Sequence, residues 1–138
     1  MPGHDSRRSF LVLIGALLLL PGSGPALAIV RPRRGPHPTP RSGIDASKVL
    51  SDEQLADSPD ARPAFEAARK IPQIADGIRC TCGCADRPGF YSLLSCYEGD
   101  GMARHCEICQ GQARLALRLH ASGKSLDEIR AAIDARYL

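Results

Sequence analysis

The stretch that decides the fold is Cys80-Thr81-Cys82-Gly83-Cys84, followed by Cys96 and by Cys106-Glu107-Ile108-Cys109, and it contains all six cysteines of the chain. Cysteines two residues apart are poorly placed to form a disulfide with each other, because so short a loop does not meet the Cα separation and torsion of that bond. The three sulfurs of the C-x-C-x-C run must therefore find partners in the three downstream cysteines or in a metal ion.

A soft metal ion would use these sulfurs well. In extended backbone, residues i, i+2 and i+4 point the same way, so Cys80, Cys82 and Cys84 are expected to present a row of sulfurs on one face. A C-x-x-C pair at a helix start adds two more, where the helix dipole favours thiolate. Thiolate sites select Cu(I), Zn(II) or an iron–sulfur cluster. The predicted cofactor is copper(I) or zinc, and the predicted ligands are Cys80, Cys82, Cys84, Cys96, Cys106 and Cys109, with His105 as a further candidate.

Two other uses of the cysteines stay open at this point. Three structural disulfides would suit a small exported domain that acts as an interaction module. Alternatively, Cys106 and Cys109 form a pair for thiol–disulfide exchange. Covalent haem attachment is excluded because Gln110, not histidine, follows Cys109. No Ser/His/Asp arrangement, phosphate loop or paired carboxylate is recognisable, so the sequence favours a protein that is not an enzyme.

The N-terminus, residues 1–28, is typical of an export signal. Arg7 and Arg8 precede an apolar run of eleven residues from Phe10 to Leu20, and Ala26-Leu27-Ala28 is a small-x-small cleavage site. Ser-Arg-Arg-Ser-Phe-Leu resembles the twin-arginine signals that export folded proteins. An apolar run of eleven residues is too short to span a bilayer as a permanent helix, so we expect no stable membrane span after signal cleavage. We therefore expect a periplasmic or extracellular protein.

Composition divides the remaining chain into a linker, 29–43, and a domain, 44–138. The linker has four prolines, four arginines and no acidic residue, which predicts a disordered basic tether. In the domain, twelve lysines and arginines face fourteen aspartates and glutamates. This balance argues against nucleic acid as a partner. The expected partners are a metal ion and a periplasmic protein.

The domain is predicted to be all-α. Ser51-x-x-Gln54 predicts a first short helix, and a second is expected from about Ala61 to Lys70. The longest helix should begin near Ala103 and end at Gly123, and a capping box at Ser125 should start the last. The connection of about three residues predicts an antiparallel helical hairpin at the C-terminus, behind a cysteine-rich central loop. A core with so few aromatic residues often needs a covalent or metal crosslink.

The cysteine spacing also resembles a known family. Ile78-Arg79-Cys80-Thr81-Cys82-Gly83-Cys84, then Ser95-Cys96-Tyr97, Cys106-x-x-Cys109 and a C-terminal Gly-Lys-Ser-x-x-Glu-Ile-Arg run are similar to the exported bacterial proteins grouped by a PCYCGC motif. The likeness covers about Pro63 to Tyr137 and all six cysteines, but Arg79 and Thr81 replace the proline and tyrosine of the motif. Many relatives look like lipoproteins, and no lipid-acceptor cysteine follows the apolar run here. The family has no assigned activity, so the resemblance implies a domain rather than a function.

A second resemblance covers only Cys106 to Tyr137. Cys-x-x-Cys-Gln, a helix, Gly-x-Ser-x-x-Glu-Ile-Arg and a closing Arg-Tyr are similar to the thiol-reducing subunit of cytochrome c maturation. There the C-x-x-C opens a three-helix domain and exchanges disulfides with apocytochrome. This likeness implies the redox role for Cys106 and Cys109, although the C-x-C-x-C run has no counterpart in that subunit.

Overall fold

Helices and short turns build the part of the chain that the computed structural model describes, residues 35–138. The predicted signal, 1–28, and the first part of the linker, 29–34, lie outside the described residues. The α-helices are α1 (Arg62–Lys70), α2 (Pro72–Asp76), α3 (Glu107–Ala121) and α4 (Leu126–Tyr137). There are four 3₁₀ turns: Pro59–Ala61 lies directly before α1, and Cys84–Asp86, Leu94–Tyr97 and Met102–His105 lie between α2 and α3. Within 35–138 the only β pairing is an isolated bridge between Val49 and Glu98. The all-α prediction is confirmed.

Helix α1 packs against α3 and contributes one face to the hydrophobic core. Its buried residues are Ala64, Phe65, Ala67 and Ala68, whose spacing gives one apolar face. Pro72 ends this helix, as predicted, but it also takes the first position of α2, where its missing N–H leaves no bond unmade.

The stop of α3 and the start of α4 follow their predicted signals, but α3 begins at Glu107 and not near Ala103. The residues before it, Met102–His105, form a separate 3₁₀ turn, and Cys106 is the N-cap at which α3 starts. Gly123 has φ +82° and ends α3 in the left-handed conformation that glycine adopts without strain. The capping box of α4 is complete, because the Ser125 hydroxyl accepts from the Glu128 N–H and the Glu128 carboxylate accepts from the Ser125 N–H. A Cβ placed at Gly111 would lie 2.3 Å from the Tyr137 hydroxyl, so the end of α4 covers the beginning of α3.

The helix predicted at Ser51 does not form. The reciprocal hydrogen bonds of a capping box are present, from the Ser51 N–H to Gln54 Oε1 at 2.8 Å and from the Gln54 N–H to Ser51 Oγ at 3.4 Å. The segment nevertheless continues as consecutive turns up to Asp57, because Pro59 follows too soon for a helix to propagate. Here the prediction was wrong.

The linker prediction also needs correction for residues 35–43, which lie against the helical domain. The Arg41 side chain forms a bidentate ion pair with Asp76, with Nη2 2.7 Å from Oδ1 and Nε 3.2 Å from Oδ2. The Asp76 side chain is fully buried, and without this ion pair its charge would have no cation beside it. Composition alone predicted disorder because it does not show that the domain buries a carboxylate that requires this arginine.

Further hydrogen bonds fix the same segment beside the cysteine loop. His37 Nδ1 accepts from the backbone N–H of Arg79 at 3.0 Å, and its Nε2 lies 3.3 Å from Asp134 Oδ2. The Pro38 carbonyl accepts from Arg130 Nη2 at 2.8 Å. The ordered part of the chain therefore extends at least to residue 35, and Arg79 leads directly into the first cysteine.

Candidate metal centre

Three separate segments bring the six cysteines together. Cys80 follows the buried residue Ile78, whose carbonyl accepts from the Leu93 N–H at 2.7 Å. Cys96 lies in the 3₁₀ turn Leu94–Tyr97. Cys106 is the N-cap of α3, and its Sγ accepts from the backbone N–H of Cys109 at 3.4 Å. Residues far apart in sequence thus meet at the start of α3.

The sulfurs form two overlapping groups. Sγ atoms of the inner group, Cys80, Cys84, Cys96 and Cys109, all lie within 4.8 Å of one another. The same limit holds for the outer group, Cys82, Cys106 and Cys109. Cys109 belongs to both groups. The chain therefore offers one set of four ligands and one set of three, joined by a shared sulfur.

The row of three sulfurs expected in the C-x-C-x-C run is not formed. Residues 81–83 make a turn, and Gly83 has φ +92°. Glycine adopts this conformation without strain, and the turn takes the place of the extended backbone that a row of three sulfurs requires. Cys80 and Cys84 consequently enter the inner group while Cys82 enters the outer one.

Spacing within the groups suits a metal ion. Zinc bonds thiolate at about 2.3 Å in a tetrahedron, which places sulfurs about 3.8 Å apart. Cys84 and Cys96 are 3.1 Å apart, Cys80 and Cys109 3.4 Å, and Cys82 and Cys109 3.5 Å. All six residues are free cysteines. An ion can therefore be held with small adjustments of side-chain torsions.

The two groups differ in burial. The inner cysteines are 0–3% exposed and belong to the hydrophobic core, whereas Cys82 and Cys106 are half-buried. Water can therefore reach Cys82 and Cys106 but not the four inner cysteines, Cys109 among them. The inner group is closed to solvent, whereas two of the three outer cysteines lie at the surface.

Hydrogen bonds among the thiols favour thiolate at two of them. Contacts with Cys109 and then Cys80 lower the pKa of Cys84 to about 4. Contacts with the same two residues hold the pKa of Cys82 far below that of an ordinary thiol. Hydrogen bonds with Cys80 and then Cys82 raise the pKa of Cys109, which favours its protonated form. A bound cation would replace that proton, since the ligand form of cysteine is thiolate.

Neighbouring side chains hold α3 against the sulfurs. The Tyr97 hydroxyl donates to the Cys109 carbonyl at 2.7 Å, and its ring meets Phe65 edge to face at 4.8 Å. Burial, followed by the nearby thiol charge, raises the pKa of Tyr97, so it remains a neutral donor. Gln112 is fully buried and its Nε2 donates to Thr81 Oγ1, which ties the helix to the turn that carries Cys82.

The structure brings all six predicted cysteines together but places His105 elsewhere. His105 ends the turn Met102–His105 with its side chain exposed, and it belongs to neither group of ligand atoms. His37 and Gln112 hydrogen-bond to Arg79 and Thr81 in the cysteine loop, and neither was predicted from the sequence. Gln112 was detectable in principle because it lies three residues after Cys109, on the same helix face. His37 gave no such signal, because it lies in a segment of tether-like composition.

Other features of the described residues add no second candidate site. A surface cavity of about 600 Å³, lined by residues such as Leu50, Phe90 and Met102, contains none of the cysteines. Within 35–138, no helix has the length and apolar character needed to cross a membrane.

Comparisons with protein-family models, with curated proteins and with solved structures gave no match. The resemblance to the PCYCGC-motif family and the likeness to the cytochrome c maturation subunit therefore stay predictions. The sulfur geometry is the observation that bears on function.

Proposed function

We propose that this chain is an exported soft-metal protein that binds copper(I) or zinc through its six cysteines and serves metal binding, delivery or resistance. One observation carries the proposal: four buried sulfurs within 4.8 Å of one another share Cys109 with a second group of three. Buried thiolates without a cation would repel one another, and a soft cation relieves that repulsion.

The grouping favours metal over the two other uses of cysteine. Disulfides join sulfurs in pairs, whereas here the sulfurs meet in fours and threes. An independent redox pair of Cys106 and Cys109 would need Cys109 free of other partners, but its Sγ is 3.4 Å from Cys80 and 3.5 Å from Cys82. Both alternatives remain outcomes of the test below.

The export signal fits this proposal. A twin-arginine route carries proteins that have already folded. The chain could then be loaded with its ion in the cytoplasm, before the thiols meet an oxidising compartment. The mature protein would act in the periplasm or outside the cell.

The deciding experiment measures metal and thiols on the same sample. The chain is purified without chelator or reductant from cells grown with added copper or zinc, and elemental analysis is followed by thiol titration in denaturant with chelator. We expect at least one copper or zinc per chain and about six thiols, in line with six free cysteines. His105→Ala is the matched control and should keep the same metal content.

Two outcomes would overturn the proposal. Absence of metal together with almost no free thiol would indicate a disulfide-stapled module. Metal-free protein with six thiols that still takes up neither ion when reconstituted would exclude a metal site and direct attention to thiol exchange at Cys106 and Cys109.

A further inference from the structure

The outer group differs from the inner group in ligand number as well as in burial. The four inner sulfurs complete a tetrahedral zinc site without help. The outer group supplies three, one of which it shares. Three protein ligands leave zinc with an open position, and sites of this kind accept a ligand from outside. For copper(I), three thiolates leave room for an approaching fourth.

The outer sulfurs are also the accessible ones. Cys82 and Cys106 are half-buried, whereas Cys109 is fully buried. An incoming molecule can therefore reach an ion held by Cys82 and Cys106 without opening the core. It cannot reach an ion held among Cys80, Cys84 and Cys96 in the same way, since these residues are 0–3% exposed.

The two groups are in direct contact. Cys82 Sγ lies 3.3 Å from Cys80 Sγ and 3.5 Å from Cys109 Sγ. A thiolate has several lone pairs and can bridge two metal ions. Cys109 is placed to do so, because its sulfur is within 4.8 Å of every other ligand in both groups.

We propose, on the basis of the metal-binding function proposed above, that the chain has two metal positions bridged by Cys109. The inner ion is retained. The outer ion, bound by Cys82, Cys106 and Cys109, is exchanged with a thiol-bearing acceptor. The inner ion serves the fold. The outer ion is the cargo, so the outer group is the transfer site.

Transfer is a ligand substitution in which the metal keeps its oxidation state. The acceptor thiol binds the outer ion as thiolate and forms a new metal–sulfur bond. The bond to Cys82 then breaks, and the Cys82 sulfur takes up the proton that the acceptor thiol released. The same exchange follows at Cys106, whose sulfur takes up the proton of the second acceptor thiol. The bond from the outer ion to Cys109 breaks last, as a third acceptor thiolate binds and its proton passes to water, and Cys109 stays bound to the inner ion as thiolate.

Chelator competition on the metal-loaded full chain tests whether there are two metal positions that release their ions at different rates. The probe is bathocuproine disulfonate for copper(I) or pyridylazoresorcinol for zinc, and the rate of metal extraction is followed by absorbance. We expect two phases that differ at least tenfold in rate. Cys82→Ser and Cys106→Ser should each remove the fast phase and its share of the metal while the slow phase persists. Cys84→Ser and Cys96→Ser should remove the slow phase.

Several results separate failure of this inference from failure of the metal function. Wild-type chain that binds no metal overturns both. Two other outcomes overturn the two-position arrangement alone. In the first, the metal leaves the wild-type chain in a single phase. In the second, Cys82→Ser and Cys106→Ser both lose all metal while their helical circular dichroism is retained. Ile108→Ala, at an exposed position between the two cysteines of α3, is the control and should keep both phases.

Discussion

Replacing Arg41 with alanine tests whether residues 35–43 belong to the folded domain. Arg41 is the cation that faces Asp76, a carboxylate at the end of α2 with no exposed surface. The carboxylate receives four hydrogen bonds, three from Arg41 and one from the Ser92 hydroxyl. The substitution removes the two side-chain bonds and leaves the backbone N–H of residue 41 and Ser92 as donors.

The expected loss of folding stability follows from these contacts. Removing one partner of a buried ion pair costs about 3–5 kcal/mol. The cost is reduced here because the Arg41 side chain is 43% exposed and water screens the pair. The two remaining donors, each at 2.8 Å, lower it further. We expect Arg41→Ala to lower the free energy of unfolding by about 2–3 kcal/mol, which for a domain of this size lowers Tm by about 10–20 °C.

Urea denaturation of variant and wild type in the same metal state measures the difference. Arg87→Ala is the matched control, because Arg87 forms no ion pair within the described residues. It should change stability by less than about 0.5 kcal/mol. An Arg41→Ala variant as stable as the control would refute the conclusion that Asp76 depends on this segment, and would restore the disordered linker.

Two further predictions concern the backbone and pH. Gly101 has φ +60° and a Cβ there would lie 2.3 Å from Leu50 Cδ1, whereas Gly99 has φ +57° and open space around it. Gly99→Ala should lower the free energy of unfolding by about 1 kcal/mol, the cost of the left-handed conformation. Gly101→Ala should lower it by about 2–4 kcal/mol, because the clash with Leu50 adds to that cost. Equal losses of stability in thermal melts would contradict the packing of Leu50. Burial alone would raise the pKa of Asp76, but hydrogen bonds from Arg41 outweigh it and the pKa is lowered. The carboxylate therefore stabilises the fold above its unfolded pKa of about 3.9, and this contribution is lost as pH falls through the lower folded value. The metal-free, reduced chain should accordingly lose stability below about pH 4, less steeply in Arg41→Ala, and identical pH profiles would oppose this.

Local signals in the sequence predicted the helices that have strong caps. The start of α4 at Ser125 and the stop of α3 at Gly123 depend on nearby residues and were confirmed. Ser51 shows the limit of that logic, because its cap bonds form while Pro59 prevents the helix. The position of Arg41 depends on Asp76, 35 residues away, and no local pattern contains that information.

The grouping of the six cysteines was predictable from the sequence, but their arrangement was not. Clustering in sequence was enough to predict that the six sulfurs lie together. The division between Cys80 and Cys82 depends on the turn at Gly83, which an extended-strand argument does not include. His105 was proposed because it adjoins Cys106 in sequence, yet the turn that ends there directs it to solvent. Adjacency along the chain is a weak guide where the backbone changes direction.

Tyr97 gives the protein a natural optical reporter. The chain has no tryptophan and three tyrosines, and only Tyr97 donates to a cysteine of the cluster. Its ring is shielded from water, so its emission responds to the charge beside it rather than to the buffer. Under the metal-binding function proposed above, we expect ultraviolet fluorescence to report metal binding and release without a dye or an engineered label.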